Sequence, residues 1–584
     1  MRDYWALLLA VIGAALFAVL ATTPPGPRGV DAPVAEFSAE RAMTDVQEIG
    51  GAPHPTGSVD NARVRTWAIE RLRGLGLWVR TTVNPMSAKG AAGLVKWSGD
   101  ATVRPVVNII ATLPGRDPAA PALVLMAHYD SVWGSPGAAD DGAGVASILE
   151  IVRALKAGPQ PLRDVIVLLT DGEELGLEGG RAFFRADPER ARTGVIVNFE
   201  TRGGGGRAAM FETGHDNGGM MRLFAGAVGH PSATSLSVLI YELLPNDTDY
   251  TPAKALGIPG FNFAFIGRSG LYHSPLATPA NLDRGALQDM GAQGLDIARA
   301  LATVSTLPQK APNLVFFDAF SWFLVIYSPV VGWLVLGIAA LLLAAAATRG
   351  KARWRDLIRG VVALLLLVVV AGAALYLVNL VSGADGKVNY YDRLAAIPRL
   401  QAQALLLCAA ALSAVMALFH RASDGIGTRL GVALPLLLAG VAVQIMAPTA
   451  AFIIAWPVLL AGIAAATTAF APRFGTSTTV AAAVVGVGYL GGFAFFLMQG
   501  VGPTMPFAAV VPLAASAILL WPLLPARRRL GWLGAAALLV VAIAIALWVR
   551  LDPIAPSVAT YSLHHKVRIA SPGGAFGPVQ TPSR

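Results

Sequence analysis

The sequence predicts a three-layer α/β domain on a mostly parallel sheet, followed by an all-α multispan transmembrane bundle. Three observations carry that prediction. The 584-residue chain is 55% hydrophobic and only 14% charged, a balance that suits a soluble part joined to a membrane part better than one soluble domain. Residues 23–317 carry 26 Lys/Arg against 29 Asp/Glu with polar loops throughout, whereas the remainder carries 19 against 7, mostly between long apolar runs. Within 23–317, short continuous apolar runs alternate with stretches of helical spacing, the mark of strands buried on both faces with helices between them.

The elements follow in order. Residues 4–22 form an apolar run after Arg2. It reads as an uncleaved anchor, the alternative being a signal peptide ending near Ala21-Thr22-Thr23-Pro24-Pro25; the run is long for a signal core and lacks a small-x-small site. Strands are expected at 106–111, 122–127, 165–169 and 194–199, and helices at 144–157 and 179–185. In such folds ligands gather at the carboxyl ends of the strands. The glycine run 203–206 reads as a mobile loop. Eight further runs, 319–346, 360–381, 400–419, 430–447, 449–470, 477–498, 505–524 and 531–549, each approach the roughly 20 residues a helix needs to cross a bilayer. The organisation is therefore an anchor at 1–22, an α/β domain at 23–317, an eight-span domain at 318–549 and a tail at 550–584.

Charge sets the orientation. Arg349, Lys351, Arg353, Arg355, Arg359, Arg421, Arg429, Arg473, Arg527, Arg528 and Arg529 fall in one set of alternate loops, and Lys387, Arg393 and Arg399 in the other. The positive-inside rule puts the first set in the cytoplasm, and the α/β domain and the tail on the opposite side. Ala/Val/Leu-rich spans suggest a bacterial inner membrane with a periplasmic domain, or a lumenal or vacuolar one in a eukaryote. The pI near 9.8 belongs to the membrane part. No basic segment interleaved with aromatics appears, so the bilayer is a partner and nucleic acid is not. Cys408, the single cysteine, lies in the fourth apolar run of the chain, which excludes an intrachain disulfide.

Four strings carry chemistry: His128-Tyr129-Asp130-Ser131, Ala139-Asp140-Asp141-Gly142, Asp171-Gly172-Glu173-Glu174 and Tyr272-His273-Ser274. A two-zinc site needs a carboxylate that bridges the metals, plus a histidine and a carboxylate for each. His128, Asp140, Glu174, Glu200 and His273 supply that inventory. Glu173 is placed to act as general base, and Asp130 to orient His128 through its second ring N–H. Tyr272 is a candidate for hydrogen bonding a tetrahedral intermediate, or a packing residue. Each string alone has a structural reading, such as a satisfied strand-end histidine or a helix first turn rich in acid. Together and in this order they read as a site. His54, His215 and His230 read as structural, and Asp141 as an acid that fixes its loop.

These strings, with Asn198-Phe199-Glu200, resemble the M28 metallopeptidases over roughly residues 45–305. The resemblance implies His128, Asp140 and Glu200 on one zinc, Asp140, Glu174 and His273 on the other, Glu173 as base and Asp130 as orienter. Many members carry Asp at the position of Glu200. Gly51-Ala52-Pro53-His54-Pro55-Thr56-Gly57-Ser58 and Asn246-Asp247-Thr248-Asp249-Tyr250 are similar to the branch that joins this domain to a multispan membrane region. The expected activity is removal of single residues from peptide N-termini, with Asp249 or Asp247 helping to hold the α-ammonium group. The alternatives are a carboxypeptidase using Arg202, Arg207 or Arg268, a catalytically dead scaffold or transporter, and a glutaminyl-cyclase-like acyltransferase.

Overall fold

The computed structural model describes residues 2–98, 102, 104–386, 388, 390–419, 426–525 and 527–553. It divides into an α/β unit, Pro24–Ile326, and a helical unit from Met1–Thr23 and Tyr327–Ala555.

Helix α1 (Arg2–Thr22) belongs to the helical unit. The α/β unit comprises α2 (Ala39–Ile49), α3 (Val59–Gly74), β1 (Trp78–Asn84), α4 (Ala88–Ser98), β2 (Val106–Leu113), β3 (Ala122–His128), α5 (Gly142–Lys156), β4 (Val165–Thr170), α6 (Glu178–Ala186), β5 (Thr193–Thr201), β6 (Gly205–Thr213), α7 (Gly218–Ala227), α8 (Ser235–Leu243), α9 (Tyr250–Ala255), β7 (Gly260–Gly267), α10 (Arg284–Thr303), β8 (Val315–Asp318) and, across the unit boundary, β9 (Leu324–Tyr327). Seven strands form one sheet in the order β1-β2-β4-β3-β5-β7-β6. Successive side chains leave a strand on opposite faces, and the two sheet faces show it. Leu123, Leu125, Ala127, Val165, Val167, Leu169, Val195 and Val197 join a core with α2, α5 and α10. Val124, Met126, Ile166, Leu168 and Ile196 join a second with Phe183 and Phe184 of α6 and Tyr250 of α9. Three layers result.

The sheet is more mixed than the apolar runs imply. β4, β3, β5 and β7 are mutually parallel, but β1, β2 and β6 run antiparallel to their neighbours. For β2 and β6 the cause is loop length: a parallel return needs a dozen or more residues, usually a helix, and the links from β2 to β3 and from β5 to β6 have none. The glycine run 203–206 is not a free loop, since Gly205 and Gly206 open β6. A Cβ on Gly203 would collide with the backbone of Gly267, and Gly206 has φ +85°; glycine is what lets these backbones approach.

The α/β unit also runs further than residue 317. β8 and β9 pair as a hairpin, with Phe316 and Ser235 exchanging hydrogen bonds, and the next helix starts at Pro329 rather than 319.

The helical unit adds α11 (Pro329–Arg349), α12 (Trp354–Asn379), α13 (Tyr390–Ala395), α14 (Ile397–Phe419), α15 (Ile426–Met446), α16 (Phe452–Phe470), α17 (Pro472–Val501), α18 (Val510–Leu520) and α19 (Arg528–Leu551). Among the described residues nine helical segments are long and apolar enough to cross a membrane, one for each apolar run. Arg393 and Arg399, read from sequence as loop residues, are buried at 3% and 6% exposure. Arg393 Nη2 donates to Asn379 Oδ1 (2.7 Å) and Ser382 Oγ (3.1 Å), and the Arg399 guanidinium sits 3.9 Å from the Trp548 ring centroid. The expected tail lies almost wholly outside the described residues, which stop at 553.

Candidate metal centre

The parallel heart of the sheet delivers the acids and histidines to one end. β3 closes on His128, paired with Thr170 at the end of β4; Glu173 and Glu174 follow β4, and Glu200 sits near the end of β5. Asp140 lies just before α5, whose N-terminus is capped by Asp141 accepting from Gly144 N at 3.0 Å. The Asp140–Asp141 peptide is cis. His273 follows β7 in the left-handed region, φ 51°, a conformation that costs a non-glycine residue on the order of 1–3 kcal/mol and is tolerated where the surroundings impose it.

Asp140 is the centre of the arrangement. Its Oδ1 is 3.2 Å from His128 Nε2, and its Oδ2 is 3.3 Å from His273 Nε2. Glu200 Oε2 lies 3.8 Å from His128 Nε2, and Glu174 Oε1 3.2 Å from His273 Nε2. Two groups able to hold a metal ion thus share Asp140: His128, Asp140 and Glu200, and Asp140, Glu174 and His273, the donor atoms within each lying within 4.8 Å of one another. His128 Nδ1 donates to the Asp130 carbonyl at 2.9 Å, with Asp130 Oδ1 at 3.5 Å. That commitment turns Nε2 toward the acids. Asp130 also accepts the backbone N–H of Glu173 (3.1 Å) and of Glu174 (3.4 Å), joining the loop after β3 to the loop after β4.

The electrostatics call for added positive charge. Burial alone would raise Asp140, but hydrogen bonds with His128 and His273 outweigh it and hold the carboxyl down at about 2. Burial lowers both histidines, yet the surrounding acids lift them well above the ordinary imidazole value. Glu200 is pushed up, first by burial and then by the charge of Glu173. Glu200 Oε1 is buried with no hydrogen-bond partner among the described residues. Acids gathered in excess, neutral nitrogen and carboxylate oxygen donors, and an orphaned buried oxygen are the donor chemistry that suits zinc.

Glu173 is partly buried beside this group, its carboxyl raised well above the usual range by burial, with Glu174, Asp249 and Asp130 adding and His128 opposing. Tyr272 stacks on His273 with ring centroids 3.7 Å apart, and Arg202 lies 6.0 Å from the Tyr272 ring. Burial, then the charges of Asp140 and Glu174, keep the phenol protonated.

The other candidates differ in placement. Asp249 is fully buried, accepts from the Thr170 hydroxyl, and adds its charge to the surroundings of Glu173. Asp247 is exposed. Arg207 is consumed in a buried pair with Asp289 at 2.6 Å, and Arg268 faces Asp283 at 3.5 Å. Of the three arginines, Arg202 is the one beside the centre. Sequence reasoning missed the support beneath Asp130: Thr56 and Asn61, which meet Asp171. The one signal was the Pro-Thr-Gly-Ser string, whose work depends on contacts more than 70 residues away.

Residues 108–298 match the family model described as peptidase family M28. Endoplasmic reticulum metallopeptidase 1 of Mus musculus is 27% identical over 320 residues, covering 51% of this chain and 35% of that protein. The vacuolar membrane protease of Candida dubliniensis is 33% identical over 260 residues, covering 44% and 27%. The matches therefore span about a third of the length of these relatives. Among solved structures, the aminopeptidase from Aneurinibacillus sp. strain AM-1 aligns over 48% of this chain and 98% of its own at 16% identity, with a TM-score of 0.37. Residues 108–298 of the α/β unit thus match peptidase family M28, in a chain similar to an endoplasmic reticulum metallopeptidase and a vacuolar membrane protease.

Proposed function

We propose that the protein is a membrane-bound, two-zinc exopeptidase acting as an aminopeptidase. The division of the two Asp140 oxygens between His128 and His273 carries this reading, because it is the bridging arrangement a paired metal site requires. His128, Asp140 and Glu200 would hold one ion, and Asp140, Glu174 and His273 the other. Zinc bound there supplies Lewis acidity toward water and toward a peptide carbonyl. Glu173, its carboxyl raised above the usual range by burial, takes a proton from the attacking water and delivers it to the departing amine. Asp130 keeps the His128 ring in one tautomer. Tyr272, protonated and stacked on His273, offers a hydroxyl to the developing oxyanion.

The acid-rich wall, Asp249 included, suits a substrate's free ammonium group. Arg202 supports one alternative, a carboxypeptidase that clamps a terminal carboxylate. Zinc analysis of the purified chain should give two ions. Acetylating the N-terminus of a cleaved peptide should stop hydrolysis, whereas amidating its C-terminus should not. The reverse result would transfer the assignment to a carboxypeptidase.

A further inference from the structure

The segment His54–Ser58 has no part in the chemistry proposed above, yet it runs directly behind the metal centre. His54 N donates to Ser131 Oγ at 2.9 Å, and Ser131 N donates to the His54 carbonyl at 3.3 Å. Gly57 turns the chain with φ +79°, and Ser58 caps α3 by accepting from Asn61 N at 3.0 Å. Between these anchors Thr56, 3% exposed, points its hydroxyl inward. Thr56 Oγ1 lies 3.2 Å from Asp130 Oδ2 and 3.0 Å from Asp171 Oδ1. Both aspartates are buried, at 0% and 1% exposure. Asp171 Oδ1 also accepts from Asn61 Nδ2 at 3.2 Å, and its other oxygen accepts from Val107 N at 2.9 Å.

We propose that Thr56 is a positioning residue for the metal centre, separating Asp130 from Asp171 and fixing Asp130 in place. Two carboxylates held this close in a dry interior oppose each other's ionisation. Asp171 is tethered by Asn61 and Val107, and Asp130 by the amides of the loop after β4, so a change in the spacing of the two carboxylates is passed to that loop. Asp130 is also the group that meets the His128 ring and receives the amides of Glu173 and Glu174. A displaced Asp130 therefore disturbs a ligand from one loop and the base and a ligand from another. Thr56 acts on both arms through a single contact. Its hydroxyl carries one hydrogen and donates it to one of the two carboxylates at a time, and it fills the gap between them with a polar atom instead of a void.

This inference rests on the zinc reading, and its test separates the two. The full chain is purified in detergent, and zinc affinity is measured by chelator competition alongside peptide hydrolysis. Thr56→Val keeps the shape and removes the hydroxyl. It should weaken zinc binding and lower kcat by about 10–100-fold, with KM within about twofold. Thr56→Ser should restore both to within about threefold. Asp171→Asn, which removes the charge opposing Asp130, should by itself cost less than threefold and, added to Thr56→Val, recover at least tenfold in zinc affinity. Should the valine variant fail to fold, Thr56→Ala repeats the comparison. Wild-type zinc affinity in Thr56→Val, or a serine variant as impaired as the valine one, overturns the role of Thr56. A wild-type chain that binds no zinc overturns the metal reading itself.

Discussion

Glu173 and Glu174 are neighbours whose side chains face different partners: Glu174 Oε1 meets His273, while Glu173 is lifted by burial beside the group. The reading above makes one a ligand and the other a base. Glu173→Gln should lower turnover on the order of 10²–10⁴-fold while retaining both zinc ions, whereas Glu174→Gln should lose zinc as well; equal zinc loss in both would refute the division. His54 offers a second test at this scale. Burial holds its pKa down at about 4, against 6.5 when exposed. The folded state therefore favours the neutral ring, and the stabilisation is present above about pH 6.5 and lost as pH falls toward 4. The shift sets a limit of about 3 kcal/mol on this contribution. Thermal unfolding of His54→Asn against wild type should show a smaller loss of stability between pH 6.5 and 4; an unchanged acid slope would show that His54 does not titrate on unfolding.

At the scale of elements, the site depends on strand ends being held in register by parts that carry no ligand. The turn after β4 is one such case. Glu173 accepts from Gly176 N and Leu177 N, Leu177 stands in the left-handed region, and Glu178 accepts from Ser87 N at 2.7 Å, just before α4. Leu175 joins Met86, Leu94 and Trp133 in a small apolar cluster. The turn bearing both glutamates is thus clamped by the segment between β1 and β2. The glycine run before β6 is another. Gly203→Ala would place a methyl group against the Gly267 backbone, which cannot rotate away as a side chain would. It should destabilise the α/β unit by about 1–3 kcal/mol, read as a lower midpoint in thermal or denaturant unfolding; Gly226→Ala, with open space around it, is the control that should change little.

For the whole molecule, the asymmetry of basic residues between alternate loops predicts, by the positive-inside rule, an α/β unit outside the cytoplasm. A phosphatase reporter fused after residue 310 should be active and one fused within 350–356 inactive, and the opposite pattern would reverse the orientation. Arg393 and Arg399 sharpen the expectation, because both are buried in the helical unit and offer little charge to a loop. A guanidinium in such surroundings requires partners. Arg393 takes Asn379 and Ser382. Arg393→Leu would leave Asn379 Oδ1 without that donor and should lower the thermal midpoint of the chain in detergent.

Composition and periodicity are local properties, and they sufficed for the two kinds of unit, for the apolar runs that became nine membrane-length helices, and for the buried strands that end at His128 and Thr170. The acids and histidines that the fold gathers around Asp140 were legible as candidates as well, since such residue types are few and cluster just past strands. What the tertiary structure alone decided depends on residues far apart in the chain. The directions of β2 and β6 followed from loop length, and that of β1 from its pairing with β2. Asp249 entered the interior because Thr170, 79 residues away, supplies its hydrogen bond, and Arg207 was taken by Asp289, 82 residues distant. Thr56 reached Asp130 across 74 residues. Hydrophobic pattern records which face a residue turns inward. It does not record which partner waits there, because that is settled by packing, where charge, hydrogen-bonding capacity and space must be satisfied together.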